Sequence, residues 1–349
     1  MGKFNQRQLS ILEFIRKNKK ASNQKIRDYL QDRFDSISRV TIVRDLDKLA
    51  KYGLIQKSGQ GRNVHYTEKV RHPLLCYIDV EEYFKKEPDE RELAYPHFNF
   101  KVFNDWPNVF TKEELRSLRD LNKQYQRKIK QLSPAVLKKE IERLTIELSW
   151  KSSRIEGNTY SLIDTEILIK ENKEARGHKR EEAVMILNHK KTWEYILSNQ
   201  ADFRKMSLRK IDNIHRLLIK DLGISYNFRK GLVGIVGTKF KPLGNQHQIR
   251  EAMEKTIDLV NSIAEPFTKA LIVILMIAYI QPFEDGNKRT SRLAANAVLM
   301  AHNICPLSFR SVNEADYKRA VVLFYEQNSA RFFKELFIQQ FEFAVNNYF

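Results

Sequence analysis

The sequence has 349 residues and a formal net charge of +18 at pH 7. Its 42% hydrophobic and 30% charged residues are typical of a globular chain with two or three domains. The longest apolar run, residues 270–280, is too short to span a bilayer. The N-terminus lacks the apolar core of a signal peptide, and Cys76 and Cys305 lack metal-ligand spacing. Composition therefore argues against a membrane-spanning, secreted or cysteine-metal protein, and we expect a cytoplasmic one.

Residues 1–70 are predicted to form a small basic domain. They hold 16 Lys or Arg residues against 7 Asp or Glu residues, so half of the net charge lies in one fifth of the chain. Apolar periodicity predicts three helices. The second follows the cap residue Ser22, and the third follows residues 35–36 and ends near Gly53, which suits a C-cap. Val40 is expected on the inner, apolar face of the third helix.

Two short strands, 54–57 and 63–66, are predicted to form a hairpin after the third helix. Three helices followed by a hairpin resemble the winged helix-turn-helix fold of bacterial regulators. The basic excess favours nucleic acid as a partner, and the resemblance implies that the third helix enters the major groove of DNA. The residues expected to contact DNA are Ser38, Arg39, Thr41, Arg44 and Arg62. The alternative is that this domain mediates only protein contacts.

The rest of the chain is predicted to be mainly helical. The predicted divisions are a connector over 71–110, a helical extension over 111–160 and a helical core over 161–349. Two apolar runs, 270–280 and 293–301, predict buried helices. Strand signals in residues 228–243 predict a β-hairpin that turns near Gly237-Thr238. The predicted fold class is therefore mainly α, with a winged helix-turn-helix domain followed by an all-helical domain that carries a β-hairpin.

The stretch between the two buried helices combines an acidic turn with basic residues. Pro282 ends the first helix, because proline has no N–H and disfavours helix at the preceding position. Gly286 and Asn287 tolerate positive φ angles, so the second helix begins there with its free N–H groups aimed at the turn. Helix N-termini of this kind bind phosphate, and Asp285 is a natural carboxylate for a Mg²⁺ that bridges phosphates. The residues that add positive charge are Lys288, Arg289 and Arg292.

The order of residue types in this stretch resembles the signature loop of the Fic/Doc family, His-Pro-Phe-x-Asp/Glu-Gly-Asn-Gly/Lys-Arg-x-x-Arg. The matching positions are Pro282, Phe283, Asp285, Gly286, Asn287, Arg289 and Arg292. The resemblance implies a protein that binds ATP with Mg²⁺ and transfers AMP to a Ser, Thr or Tyr hydroxyl of a target protein. The implied nucleotide-binding residues are Phe283, Asp285, Gly286, Asn287, Lys288, Arg289 and Arg292, with Tyr317 as an aromatic residue that stacks on the adenine. In these roles Asp285 holds the metal, Asn287 stabilises phosphate charge, and the two arginines clamp the phosphates.

Two positions depart from the family pattern. Gln281 stands where the family has its general-base histidine, and an amide can orient a hydroxyl but cannot accept its proton near neutral pH. Loss of a general base costs on the order of 10²- to 10⁴-fold in rate. Lys288 stands where the adenylylating branch usually has glycine, and lysine is typical of the Doc branch, whose activity is protein phosphorylation. His247, beyond the predicted hairpin, is a candidate to replace the missing base.

Three alternatives to an impaired AMP transferase follow from these departures. The first is Doc-like phosphoryl transfer, which Lys288 favours. The second is a transcription regulator whose Fic domain senses nucleotide without turnover, which Gln281 favours. The third is that Gln281 was introduced to inactivate the protein.

A second motif precedes the signature loop. Ser152, Glu156 and Gly157 resemble the inhibitory Ser/Thr-x-x-x-Glu-Gly/Asn motif of Fic proteins. The resemblance implies that Glu156 pairs with Arg292 and blocks the γ-phosphate site, since a carboxylate and a phosphate compete for one guanidinium. The alternative is a helix that ends at Gly157 with Glu156 in solvent.

The predicted hairpin lies where the family has its flap, which binds the target segment by strand addition. The residues that this resemblance places against the target are Ile235, Val236, Gly237 and Thr238. A structural hairpin without a partner is the alternative. The last predicted helix, 330–349, is rich in phenylalanine and is a candidate surface for a homodimer.

Overall fold

The computed structural model describes residues 5–34, 37–52, 54–69 and 72–349. These residues fall into two compact units, Met1–Lys86 and Glu87–Phe349. The division lies inside the segment 71–110 that the sequence predicts as a connector. The predicted helix start at 35–36, the C-cap Gly53 and the side chain of Arg62 lie outside the described residues. None of the helices in the described ranges has the length and apolar character needed to cross a membrane.

The first unit packs its helices against a small antiparallel sheet. Its helices are α1 (Gln6–Lys17), α2 (Asn23–Gln31), α3 (Arg39–Lys51) and α4 (Val80–Phe84), and its strands are β1 (Ala21–Ser22), β2 (Ile55–Ser58) and β3 (His65–Glu68). The strand order is β1-β3-β2, and Ile55 pairs with Glu68. The side chains of Asn5, Ser22 and Ser38 cap α1, α2 and α3 by accepting backbone N–H groups, as helix N-caps do. Sequence reasoning missed β1, which is only two residues long.

One prediction for α3 is wrong. Val40 is 60% exposed, although it was expected on the apolar face. The buried positions of this helix are Ile42, Asp45, Leu46 and Leu49. Because these lie three or four residues apart, they form one face, and a residue two positions before Ile42 points the opposite way.

The second unit is a bundle of ten helices within the described residues. They are α5 (Lys112–Gln131), α6 (Pro134–Ile155), α7 (Leu162–Glu171), α8 (Arg180–Ser198), α9 (Leu208–Leu218), α10 (Gln246–Ser262), α11 (Pro266–Ile280), α12 (Asn287–Ala301), α13 (Glu314–Gln327) and α14 (Arg331–Asn347). The central pair, α11 and α12, pack against each other and are surrounded by α8, α9, α10 and α13. Residues 267–280 of α11 are all buried. The prediction of a mainly helical chain with two buried central helices is confirmed.

The predicted β-hairpin is not formed. Residues 228–243, which we call the flap, contain no strand ladder, and their only described bridge joins Lys241 to His97. The chain still turns at Gly237, which has φ of 84°. Backbone groups of the flap bond elsewhere: the N–H of Arg229 donates to the carbonyl of Pro282, and that of Lys241 donates to the carbonyl of Pro96. These external partners replace the pairing that the alternation of the sequence suggested.

Candidate functional site

The turn between α11 and α12, residues 281–292, is held by a network of side-chain amides. Gln281 ends α11 in the left-handed conformation with φ of 51°. Its Nε2 donates to the carbonyl of Ala278 at 2.7 Å and to the hydroxyl of Tyr325 at 3.2 Å, and its Oε1 accepts from Asn287 Nδ2 at 2.9 Å. The amide of Gln281 is thus engaged on both sides, and it has no titratable lone pair.

Asn287 fixes the shape of this signature loop. Its Oδ1 accepts the N–H of Phe283, and its Nδ2 donates to the carbonyl of Phe283, both at 2.9 Å. Together with the bond to Gln281, these contacts use both ends of the amide. In this geometry Asn287 positions the loop's backbone, whereas the sequence led us to expect a direct contact with phosphate.

Gly286 allows the start of α12 to pack closely against α9 and the residue after it. It is the N-cap of α12 with φ of 80°, a conformation that favours glycine. A Cβ there would lie 3.2 Å from Ile219 Cγ2 and 3.5 Å from His215 Cδ2. The first turn of any helix presents N–H groups that have no acceptor within the helix, so α12 offers a positive end beside the loop.

His215 packs against the signature loop. Its ring stacks on Phe283 with centroids 3.5 Å apart and an interplanar angle of 6°, and its Nε2 lies 3.0 Å from the carbonyl oxygen of Asp285. Burial lowers the pKa of His215 to about 4, so the ring is neutral near pH 7 and Nε2–H donates to Asp285. Phe283 is fully buried. It anchors the loop rather than facing a ligand, contrary to its predicted role.

Arg292 is fully buried and pairs with the predicted inhibitory motif. Its Nε donates to Ser152 Oγ at 3.0 Å, its Nη2 donates to the carbonyl of Ser152 at 2.8 Å, and its Nη1 donates to Glu156 Oε1 at 2.8 Å. Glu156 is the C-cap of α6, and Gly157 follows with φ of 101°. The structure therefore brings together the predicted inhibitory residues and the second arginine of the loop.

Lys288 is a second cation on the same carboxylate. Its Nζ donates to Glu156 Oε2 at 3.2 Å, so each oxygen of Glu156 has its own positive partner. Burial opposes ionisation of Glu156, but the charges of Arg292 and Lys288 outweigh it, and the pKa of Glu156 lies below its ordinary value. Lys288 thus contacts the predicted inhibitory glutamate, a contact that sequence reasoning did not foresee.

Arg289 contrasts with Arg292 because its guanidinium is incompletely paired. It is only 1% exposed, and its Nη2 donates to Asp285 Oδ2 at 3.1 Å. Its Nε and Nη1 are buried without a hydrogen-bond partner in the part of the chain that the structure describes. Burial lowers the pKa of Arg289, and the carboxylates of Asp285 and Glu156 partly offset this. Buried donors left unpaired are costly, so this guanidinium is suited to an anion.

Asp285 faces both a cation and solvent. Its side chain is 64% exposed while it pairs with Arg289. Over the described ranges, no group of three or more His, Cys, Asp or Glu side chains comes together. A Mg²⁺ ion that keeps several waters and binds one carboxylate plus phosphate oxygens needs no larger cluster. The donor set therefore fits a metal that arrives with a phosphate ligand.

Comparison with protein families decides the relationship. Residues 205–299 match the family model described as Fic/DOC family, and this segment holds the loop, α12 and the supporting His215. The chain carries a Fic/DOC family domain. The matched segment begins before α9 and ends near the end of α12, so it contains the central helix pair of the second unit.

Curated relatives and solved structures agree with this assignment of the Fic domain. The chain is 26% identical over 189 residues to "Protein adenylyltransferase Fic" of Nematostella vectensis, covering 52% of this chain and 43% of the relative. It is 28% identical to the protein of that name from Culex quinquefasciatus, covering 52% and 37%. The chain therefore spans less than half the length of these relatives.

The fold of the second unit is also that of solved Fic proteins. A Fic family protein from Desulfovibrio desulfuricans G20 aligns with a TM-score of 0.57 and 22% identity over 69% of this chain and 75% of that one. The Fic-1 protein of C. elegans aligns with a TM-score of 0.56 and 21% identity, covering 68% and 70%. At this level of identity the likeness concerns the fold.

Two predicted residues of the Fic domain lie elsewhere than expected. Tyr317 is 1% exposed, the guanidinium of Arg292 lies 5.2 Å from its ring centroid, and Phe333 contacts it edge-on. Its ring face is therefore not open to an adenine. His247 is exposed in the first turn of α10, where its N–H donates to Asn245 Oδ1, and it makes no described contact with the signature loop.

Arg229 is a flap residue whose contact with the signature loop sequence reasoning missed. Its Nε donates to the carbonyl of Gln281 at 2.6 Å, and its Nη2 donates to the carbonyl of Ile280 at 3.3 Å, so it satisfies the last carbonyls of α11. It also borders a cavity of about 460 Å³ between the flap and the loop, whose lining includes Phe228, Lys230 and Glu284. Its position 52 residues before Gln281 gave no sequence signal of this contact.

Proposed function

We propose that the Fic domain binds ATP with Mg²⁺ and transfers AMP to a Ser, Thr or Tyr hydroxyl of a target protein, with Glu156 restraining and Gln281 impairing the reaction. The observation that carries the proposal is the buried guanidinium of Arg289, whose Nε and Nη1 have no partner among the described residues. Phosphate oxygens satisfy such donors by charge-assisted hydrogen bonds. The curated relatives are protein adenylyltransferases by name, which supports AMP as the transferred group.

The positive charges of the site favour a polyphosphate. The N-terminus of α12 supplies backbone donors beside Arg289, and Arg292 and Lys288 of the same helix both pair with Glu156. A carboxylate in that position occupies the place that a third phosphate would need. Residues that clamp two phosphates but exclude a third produce an ATP site that is weak until Glu156 moves.

The reaction requires in-line transfer at the α-phosphorus. The target hydroxyl oxygen forms a bond to that phosphorus, the bond to the pyrophosphate oxygen breaks, and pyrophosphate leaves. When bound at Asp285, Mg²⁺ would supply positive charge to the phosphates. The hydroxyl proton needs an acceptor, and Gln281 is able only to orient the hydroxyl. Water must then take the proton, so we expect slow turnover in the native chain.

Two further readings of the Fic domain are kept as alternatives. Doc-like phosphoryl transfer would present the γ-phosphorus instead, and Lys288 is the residue that favours it. Nucleotide sensing without turnover is favoured by the complete hydrogen bonding of the Gln281 amide to the protein itself. The label on the acceptor protein separates the three readings. AMP transfer leaves AMP on it, phosphoryl transfer leaves phosphate, and binding alone leaves it unmodified.

Nucleotide binding is the first test. Titration calorimetry with ATP and Mg²⁺ should give saturable heat, and Arg289→Gln should weaken binding at least about tenfold, because charge-assisted hydrogen bonds contribute about 1.5–3 kcal/mol each. Arg127→Gln, which removes an exposed arginine of α5, is the matched control and should bind normally. Absence of heat with purine triphosphates, in both the native chain and Glu156→Gly, would remove the basis of the proposal.

For the first unit we propose a winged helix-turn-helix domain that binds DNA. At the start of α3, the side chains of Arg39 and Arg44 are exposed, and Val40, 60% exposed, adds an apolar surface suited to a thymine methyl group. Ser38 and Thr41 bond to each other at 2.9 Å in the first turn. Lys57 is exposed on β2, where it is suited to backbone phosphates.

Removing the two arginines tests the DNA interface. Arg39→Ala with Arg44→Ala should weaken binding to duplex DNA by about tenfold or more and reduce its salt dependence, since both contacts release counterions. Lys138→Ala with Lys139→Ala removes the same net charge from exposed positions on α6 and should have little effect. Equal losses in the two pairs, measured by fluorescence anisotropy at several salt concentrations, would indicate only a general charge effect.

A further inference from the structure

The flap has little internal hydrogen bonding, yet its backbone has a defined conformation. Residues 228–243 form no ladder, and Val236 at the tip is 99% exposed. A loop with few internal hydrogen bonds loses its conformation easily, so a defined tip needs support from outside. The support comes from residues 87–99, which we call the strap.

The strap contacts the flap at three points from tip to base. The guanidinium of Arg91 donates to the carbonyl of Gly237 at the turn. Lys239 Nζ donates to the carbonyl of Asp89 at 2.7 Å, and the N–H of Lys241 donates to the carbonyl of Pro96 at 2.9 Å. These contacts occupy one side of the flap's second half and leave Val236 exposed.

The strap is itself fixed to the end of α13. Arg91 pairs with Glu326 at 3.5 Å, and their side chains are 2% and 0% exposed. The N–H of Tyr95 donates to the carbonyl of Glu326 at 3.0 Å, and Gln327 Nε2 donates to the carbonyl of Glu92 at 2.6 Å. The residue before Glu326 is Tyr325, whose hydroxyl accepts from Gln281. One turn of α13 therefore holds both the strap and the side chain at the base position.

We propose that Arg91 is a positioning residue for target recognition, which fixes the flap tip through its buried pair with Glu326. The inference rests on the proposed function in taking the flap as the segment that meets the target. A guanidinium reaches a carboxylate and a carbonyl at the same time because its donors form a planar fork. A lysine ammonium keeps the charge but not this geometry.

The test compares Arg91→Lys with the native full-length chain by amide hydrogen exchange and thermal unfolding. Arg91→Lys should keep a melting temperature close to the native value, because Glu326 retains a cationic partner. The amides of Phe240 and Lys241, which donate to Thr238 Oγ1 and to the carbonyl of Pro96, should exchange about tenfold faster, whereas those of α12 should not change. Lys239→Ala, which leaves the buried pair intact, should also accelerate exchange of these two amides, and Arg127→Ala is the matched control. ATP affinity should stay within about twofold of native.

Activity supplies a second comparison. In a Gln281→His, Glu156→Gly background with α-labelled ATP and the chain itself as acceptor, Arg91→Lys should retain the KM for ATP and lose about tenfold in labelling rate. Native protection of the Phe240 and Lys241 amides in Arg91→Lys and Lys239→Ala would overturn the inference, as would equal acceleration throughout the second unit. Hydrogen exchange is measured without nucleotide. Failure of all variants to bind ATP would therefore defeat the proposed function, whereas the exchange rates would still test the role of Arg91 in fixing the flap.

Discussion

Replacing Gln281 by histidine is expected to raise the rate of AMP transfer by about 10²- to 10⁴-fold, the usual contribution of a general base. The substitution restores a titratable nitrogen at the end of α11, next to the N-terminus of α12. Histidine is among the residues that tolerate the left-handed conformation found at this position, where φ is 51°. The backbone conformation of the loop should therefore not change.

The measurement uses ATP labelled at either the α- or the γ-phosphate, in a Glu156→Gly background that frees Arg292. Transfer of the α-label marks AMP and transfer of the γ-label marks phosphate, so the product also separates Fic-like from Doc-like chemistry. Gln281→Asn is the matched control, since it changes the side chain without adding a base, and it should stay at the native rate. Native labelling as fast as that of the histidine variant would show that Gln281 does not limit turnover.

Sequence reasoning succeeded where the determinants are local. Two apolar runs separated by Pro282 and Gly286 predicted the central helices and the turn, because proline and glycine act on their own backbone. The Glu156–Arg292 contact was anticipated from resemblance to a family, since no periodicity links residues 136 positions apart. Val40 was misplaced because an apolar residue at the start of a helix does not reveal which face is buried.

The supporting contacts of the site could not be predicted because they depend on packing. His215 lies under Phe283, and Arg229 caps the last carbonyls of α11, yet both come from segments far from the loop in sequence. The flap shows the same limit. Its alternation suggested a hairpin, but the carbonyl of Gly237 and the N–H of Lys241 bond to the strap instead. Tertiary contacts override strand propensity in this way.

The second large effect is expected from Glu156→Gly, which should tighten ATP binding by about 10- to 100-fold. Removing the carboxylate leaves one donor of Arg292 and one of Lys288 without their acceptor. A γ-phosphate can then accept charge-assisted hydrogen bonds from both. Without nucleotide the variant should be less stable, because the enclosed Arg292 loses its counter-charge. ATP should then raise its melting temperature more than that of the native chain, since a ligand that binds only the folded state stabilises it.

A double-mutant cycle with Lys288→Ala shows whether the lysine acts through Glu156. With Glu156 present, the substitution should loosen the carboxylate and leave ATP affinity unchanged or slightly higher. In the Glu156→Gly background Lys288 is free to meet phosphate, so the same substitution should weaken ATP binding several-fold. This change of sign is a coupling that independent residues do not produce. Glu314→Gln is the matched control, because Glu314 also lies 3.0 Å from two cations, Lys151 and Arg154, and ATP affinity should stay native. Equal effects of Lys288→Ala in both backgrounds would exclude a shared role with Glu156.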